Sequence, residues 1–317
     1  MLLWWDYKWR KDKMQKELLQ NGFCRIKKED VLKLKKYYQD MEAPYASSID
    51  LVSIFSWDRN LPAYYKDIYG YLCFVVYDKI NLRWVSLPPV GKYAHETLKI
   101  VFCELELFFR ETNHELIFTD VTPWMVIYFQ EFFQKRMEIL DQEELREYIY
   151  SYDDFRKKLE DQRERYNYQY FLKKHQIEVK ELTEDLEEDC QRVLKESFCE
   201  LHSCEECEYG CLKDTLHYAL LLSGSSEMFG FLIYADNNPI AYNIVSKENN
   251  QMVFHFKKNI RGFRGMNEFI HKETLERYGK DCTSINYTED MGVEGLRKYK
   301  MNLCNFTYQP KLEIKVK

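Results

Sequence analysis

Apolar residues recur at helical spacing through Leu98, Val101, Phe102, Leu105, Phe108 and Phe109, which is the stripe a helix turns toward a core. Before it, residues 71–77 form an apolar β-type run, 78–81 a polar turn and 82–87 a second strand, so the pair reads as a hairpin. Pro88, Pro89 and Gly91 then break the sheet. After the stripe, residues 116–121 read as a strand, and Pro123 sits where a helix can start. The second half repeats this order with one more strand: runs at 229–234, 240–245 and 252–256, a loop at 261–265, a helix over 266–278, a strand over 283–287 and a closing helix through Leu296. Helices are also expected over residues 1–20, 29–38 and 47–57. Residues 140–147 read as a charged helical connection, and 181–199 as an acidic amphipathic helix. Periodicity therefore predicts an α+β chain of two similar halves, divided as 1–140 with a helical leader and 141–317.

Composition narrows the classes. The chain has 317 residues, long enough for two domains, with 45% hydrophobic and 31% charged positions and only 11 Gly and 7 Pro, so it is globular. A net charge of -6 argues against a broadly basic nucleic-acid footprint, although a local basic patch is compatible with it. The apolar run at 1–5 is too short for a signal segment and is broken by Asp6, Lys8 and Arg10. No run approaches the ~20 apolar residues of a membrane helix. With 10 cysteines and no disulfide-like framework, the expected compartment is a reducing cytoplasm.

The densest chemistry lies at 285–300. The strand over 283–287 ends, then Glu289 and Asp290 fall at a strand-to-helix corner, where free N–H groups and the helix dipole favour negative charge. Gly292 and Gly295 would allow close approach, and Arg297 and Lys300, three apart, can share a helix face. The plain alternative is a capped surface helix with ordinary ion pairs. The run Asn286, Glu289, Asp290, Gly292, Glu294, Gly295, Leu296, Arg297, Lys300 resembles the C-terminal signature of the domain that ends phosphatidylglycerol lysyltransferases. Upstream, Tyr150, Tyr152, Lys157, Lys158, Arg163, Arg165 and Phe171 are similar to the family's central segment.

That resemblance implies two tandem acetyltransferase-like (GNAT-like) domains, each a mixed sheet flanked by helices, and transfer of an aminoacyl group, with aminoacyl-tRNA as donor and a small molecule, lipid or peptide as acceptor. Asp290 or Glu289 becomes the candidate base, or the group that binds the donor's α-amine. Asn286, Arg297 and Lys300 would bind substrate, with Arg163, Arg165, Arg261 and Arg264 as phosphate contacts. An acyl-CoA N-acyltransferase and a non-catalytic binding protein on the same fold stay open as alternatives. Against coenzyme A, the pyrophosphate loop Arg261-Gly262-Phe263-Arg264-Gly265-Met266 places an arginine and a methionine where that fold normally has small residues. GxGxxG, GxxxxGK, HExxH and GxSxG motifs are absent. His255, between Phe254 and Phe256, reads as a structural histidine facing opposite to both.

Cys199, Cys204, Cys207 and Cys211, spaced C-x4-C-x2-C-x3-C with His202 among them, are concentrated enough to suggest a metal, zinc ahead of an iron–sulfur cluster.

Overall fold

The computed structural model describes residues 2–39, 41, 44–200, 210–248 and 250–317, with side chains from residue 11 onward. Two compact units result. The first holds Met1–Gln142 and Pro310–Lys317, and the second is built from residues 143–200 and 211–309.

In the first unit α1 (Leu2–Gln20), β1 (Cys24–Arg25), α2 (Lys28–Gln39) and α3 (Leu51–Trp57) precede β2 (Ala63–Ile68), β3 (Tyr71–Asp78) and β4 (Arg83–Ser86). Then come α4 (His95–Glu111), β5 (Ile117–Val121), α5 (Val126–Phe133) and β6 (Met137–Asp141). The second unit contains β7 (Glu147–Ser151), α6 (Tyr152–Leu159), α7 (Gln162–Lys174), β8 (Ile177–Glu181), α8 (Glu187–Leu194) and α9 (Leu212–Leu220). It continues with β9 (Phe229–Ala235), β10 (Asn238–Glu248), β11 (Gln251–Asn259), α10 (Met266–Tyr278), β12 (Ser284–Asn286), α11 (Glu294–Met301) and β13 (Phe306–Gln309), and β14 (Leu312–Val316) ends the chain.

Each unit carries a seven-stranded sheet of the same plan. The orders are β1-β2-β3-β4-β5-β14-β6 and β13-β7-β12-β11-β10-β9-β8. Each has one parallel pair, β4 with β5 and β11 with β12, joined by a crossover helix, while every other pairing is antiparallel. Both sheets also accept a strand between the last two of the repeat. β14 enters between β5 and β6, and β7 between β12 and β13.

Cores follow the predicted stripes. In the first unit Phe102 of α4 packs on Phe129 and Phe133 of α5, with ring centroids 4.7 and 5.2 Å away, and on Phe118 of β5. In the second, Tyr148, Tyr150, Phe155, Val245, Met252, Phe254, Leu275 and Ile285 bury one cluster between sheet and helices. Phe171, Phe231, Ile233, Phe269 and Ile270 bury another.

Three readings need correction. Residues 140–147 are not helical: β6 runs into a single 3₁₀ turn, Glu143–Leu145, and then into β7. β6 is an edge strand with one or both faces in water, so its charges mimic a surface helix. The segment at 181–199 begins as the end of β8, turns through a 3₁₀ helix at Glu184–Leu186 into α8, and closes in a π-helix at Lys195–Cys199. The second half also does not own the C-terminus. Buried Ile314 and Val316 pair β14 into the first unit's sheet, and buried Glu313 takes both guanidinium arms of Arg83. Cys204, Cys207 and His202 lie outside the described residues. Among the described residues no group of three or more His, Cys, Asp or Glu could hold a metal ion. No described helix is long and apolar enough to cross a membrane.

Candidate active site

The corner after β12 is a clamp. Asp290 is buried, and its carboxylate accepts from Tyr148 Oη at 2.6 Å, Arg297 Nε at 3.0 Å, Arg297 Nη2 at 3.1 Å and the Gly292 N–H at 2.9 Å. Those four donors match the roughly four lone-pair positions of a carboxylate. Burial pushes its pKa up, but the Arg297, Tyr148 and Gly292 hydrogen bonds outweigh it and hold the group below its ordinary 3.8. A saturated, weakly basic carboxylate is poorly suited to taking a proton, and its four donors tie the corner after β12 to α11 and β7. Arg297, in turn, is spent on Asp290 and its pKa is raised by that hydrogen bond.

Lys300 and Asn286 complete the clamp. The buried Lys300 ammonium donates to the Tyr287 carbonyl, to Thr288 Oγ1 at 3.3 Å and to the Glu289 carbonyl at 2.7 Å, so it ties α11 back onto the corner. Glu289 is thus held through its backbone. Fully buried Asn286 donates to Glu147 Oε2 at 2.6 Å and accepts from the Thr288 N–H at 2.9 Å. Thr288 has φ +55°, and Met291 +54°, so the clamp holds two non-glycine residues in the left-handed region.

What the clamp encloses is a polar cluster that the sequence reading missed. β11 and β12 pair over only three residues, Gln251 with Ser284 through Val253 with Asn286, after which β11 runs on beside β10 alone. In the opening, Lys257 Nζ lies 2.5 Å from Tyr299 Oη, 3.0 Å from Asn267 Oδ1 and 3.5 Å from His271 Nε2. Tyr287 Oη sits 2.8 Å from His271 Nε2 and faces Lys257, whose Nζ is 5.5 Å from the Tyr287 ring centre. Burial, and after it the Lys300 ammonium, bring the Lys257 amine from 10.5 down to about 7, against the pull of Glu268. Burial and Lys257 likewise push His271 well below 6.5, so its imidazole is neutral and can accept from Tyr287. The Tyr299 phenol is raised by its burial and stays a proton donor. A primary amine poised near neutrality, hydrogen-bonded to a phenol, can take up and return a proton at working pH.

A β-bulge aims that lysine. Ile244 pairs with Phe256 but Val245 with Phe254, so His255 is the extra residue of β11. Beyond it Lys257 stands opposite Asn243, which donates to Thr274 of α10. Strict alternation from Phe254 would have put Phe256 and Lys258 on that face. His255 itself bonds Ser246 Oγ at 2.8 Å, the structural role expected for it.

The remaining predicted cations lie on another surface. Arg163 and Arg165 are exposed on α7 and Arg261 is exposed in the loop before α10. Arg264 donates to Asn167 Oδ1 at 3.0 Å and lies 5.2 Å from the ring centres of both Tyr166 and Tyr170. The loop before α10, where an acetyltransferase would hold a pyrophosphate, is closely packed. Gly265 has φ +89°, and a Cβ there would fall 2.0 Å from the Asn167 carbonyl, so the α7 backbone already lies against the start of α10. The Met266 N–H is engaged by the Phe263 carbonyl at 3.3 Å. Gly265→Ala should therefore destabilise the second unit by about 3 kcal/mol or more, from combined φ strain and backbone clash, read as a lower denaturation midpoint.

A family model for the C-terminal part of phosphatidylglycerol lysyltransferase matches residues 63–313. The chain belongs to that family. Curated protein sequences show no match. Among solved structures, a conserved protein of unknown function from Bacteroides thetaiotaomicron is 20% identical, with 93% of this chain and 99% of that one covered at a TM-score of 0.81. L-PGS from Bacillus licheniformis is 12% identical over 89% and 90% of the two chains, with a TM-score of 0.62. FemX is 9% identical over 92% and 96%, with a TM-score of 0.61. These likenesses establish the fold, two tandem GNAT-like units. Asn286, Asp290, Arg297 and Lys300, from the run that resembles the family's signature, form the clamp, while Lys257, His271 and Tyr299 come from β11, α10 and α11.

Proposed function

We propose that the protein is an aminoacyltransferase whose second unit moves an aminoacyl group from an ester donor to an amine or hydroxyl acceptor. Membership in the lysyltransferase family supports the class, and one observation carries the assignment to this site: at the opening between β11 and β12 the partly buried Lys257 amine lies 2.5 Å from Tyr299 Oη and 3.0 Å from Asn267 Oδ1. In this reading the acceptor's N–H or O–H gives its proton to the neutral Lys257 amine as the nucleophile adds to the ester carbonyl carbon. The tetrahedral adduct then expels the donor's alkoxide, which takes that proton back from the lysine, through Tyr299 or directly. No net proton is consumed. Asp290, Arg297 and Lys300 hold the corner that carries Tyr287 and Tyr299 against the lysine.

The donor best suited to this chemistry is an aminoacyl-tRNA in the cytoplasm. Gly265 packed on Asn167 disfavours an acyl-CoA donor, and a zinc ion at Cys199, Cys204, Cys207 and Cys211 would be a structural staple outside this chemistry. A mixture of charged tRNAs, offered with small amines, anionic lipids and peptides, should yield an aminoacylated acceptor detectable by mass spectrometry. Acyl transfer from coenzyme A thioesters alone, with none from charged tRNA, would reverse the assignment.

A further inference from the structure

We infer that the outward face of α7, with Arg264 laid across it, is the docking surface for the single-stranded 3′ end of the RNA donor, an inference that rests on the aminoacyl-transfer reading above. α7 turns Glu164, Asn167, Tyr168 and Phe171 toward α10, where Tyr168 stacks on Phe269 at 14° and Asn167 donates to Glu268 at 2.8 Å. The opposite face presents Arg163, Arg165, Tyr166 and Lys173, all exposed, and Tyr166 keeps 58% of its surface in water.

That open ring lies beside a cation. The Arg264 guanidinium lies 5.2 Å from the Tyr166 and Tyr170 ring centres, anchored by its bond to Asn167. Flat rings interleaved with guanidinium and ammonium groups are what a nucleic-acid strand needs: faces for bases to stack on and cations for its phosphates. The chain's overall negative charge makes this local basic stretch a selective attractor. An anionic membrane would ask instead for aliphatic side chains to enter the interface, and the exposed face of α7 offers Leu172 alone.

α10 links this surface to the site: its Glu268 accepts from Asn167, and its neighbouring Asn267 accepts from Lys257 Nζ at 3.0 Å. Asn167 joins Arg264 to Glu268, and the charge of Glu268 is felt at Lys257. A 3′ end stacked along α7 would thus deliver its terminal ester toward the lysine.

The test is fluorescence anisotropy with a single-stranded 12-nucleotide RNA ending in CCA and with uncharged tRNA, at low and moderate salt. The unaltered protein should bind both, more weakly as salt rises. Arg264→Ala, and Tyr166→Ala with Tyr170→Ala, should weaken binding tenfold or more; Arg264→Lys, which keeps the charge without the planar stack, should recover only part. Lys257→Met should bind like the unaltered protein. If the α7 variants bind RNA normally while charged tRNA still serves as donor, this inference alone falls. If the unaltered protein neither binds RNA nor uses charged tRNA, both readings fall. Loss of binding to phosphatidylglycerol vesicles in the same variants, with RNA binding intact, would make the face a membrane contact and overturn the proposal.

Discussion

Lys257→Met should slow transfer by roughly two to four orders of magnitude while the protein remains folded. A positioned general base contributes roughly 10²- to 10⁴-fold, and methionine keeps the length and apolar stem of the lysine without its amine. The same substitution should raise stability near pH 6. The amine titrates at about 7 in the folded chain and at 10.5 when unfolded, so between those values the unfolded chain binds more protons. Below pH 7 the full cost of burying the ammonium weighs on the native state; as pH rises from 7 toward 10.5 that cost is relieved. The variant's advantage in thermal midpoint should accordingly be largest at pH 6 and shrink through that window. A variant both slower and more stable is the signature of a residue kept for chemistry.

The second large effect is structural. Asp290→Ala should cost about 2–4 kcal/mol of unfolding free energy, since it strands the buried Tyr148 hydroxyl and the Gly292 N–H and opens the corner between β12 and α11. The half-exposed Arg297 guanidinium can return to water and adds little to that figure. Because the Asp290 pKa is held below 3.8, the native contribution of this carboxylate is complete above that value and is lost only as pH falls through its lowered pKa. Denaturant midpoints measured at pH 7 should show the full loss for Asp290→Ala and a smaller one for Tyr148→Phe. Equal midpoints for Asp290→Ala and the unaltered protein would remove the clamp from this account.

The clamp was legible because its parts are close in sequence. Asn286, Asp290, Arg297 and Lys300 fall within fifteen residues, and a strand, a turn and a helix in that order place them together by local rules. The saturation of the Asp290 oxygens was less legible, because one donor is Tyr148, which arrives from β7 through pairing distant in sequence. Lys257, His271 and Tyr299 were invisible for a similar reason. They come from three elements, and the bulge at His255 shifts the alternation that would otherwise point Phe256 at the site. The two-halves plan was visible in hydrophobic periodicity, whereas the insertion of β14 and β7 was not. Strand partnership across a chain depends on long-range register, which no local pattern encodes.

The most direct test of the proposed base is the pH dependence of single-turnover transfer, measured with a donor whose α-amine is blocked so that only the protein titrates in the range. The rate should rise tenfold per pH unit on the acid side and level off with a midpoint near 7, and the residual rate of Lys257→Met should lack that step. A rate that stays flat from pH 5.5 to 9, or a midpoint unchanged by Lys257→Met, would contradict it.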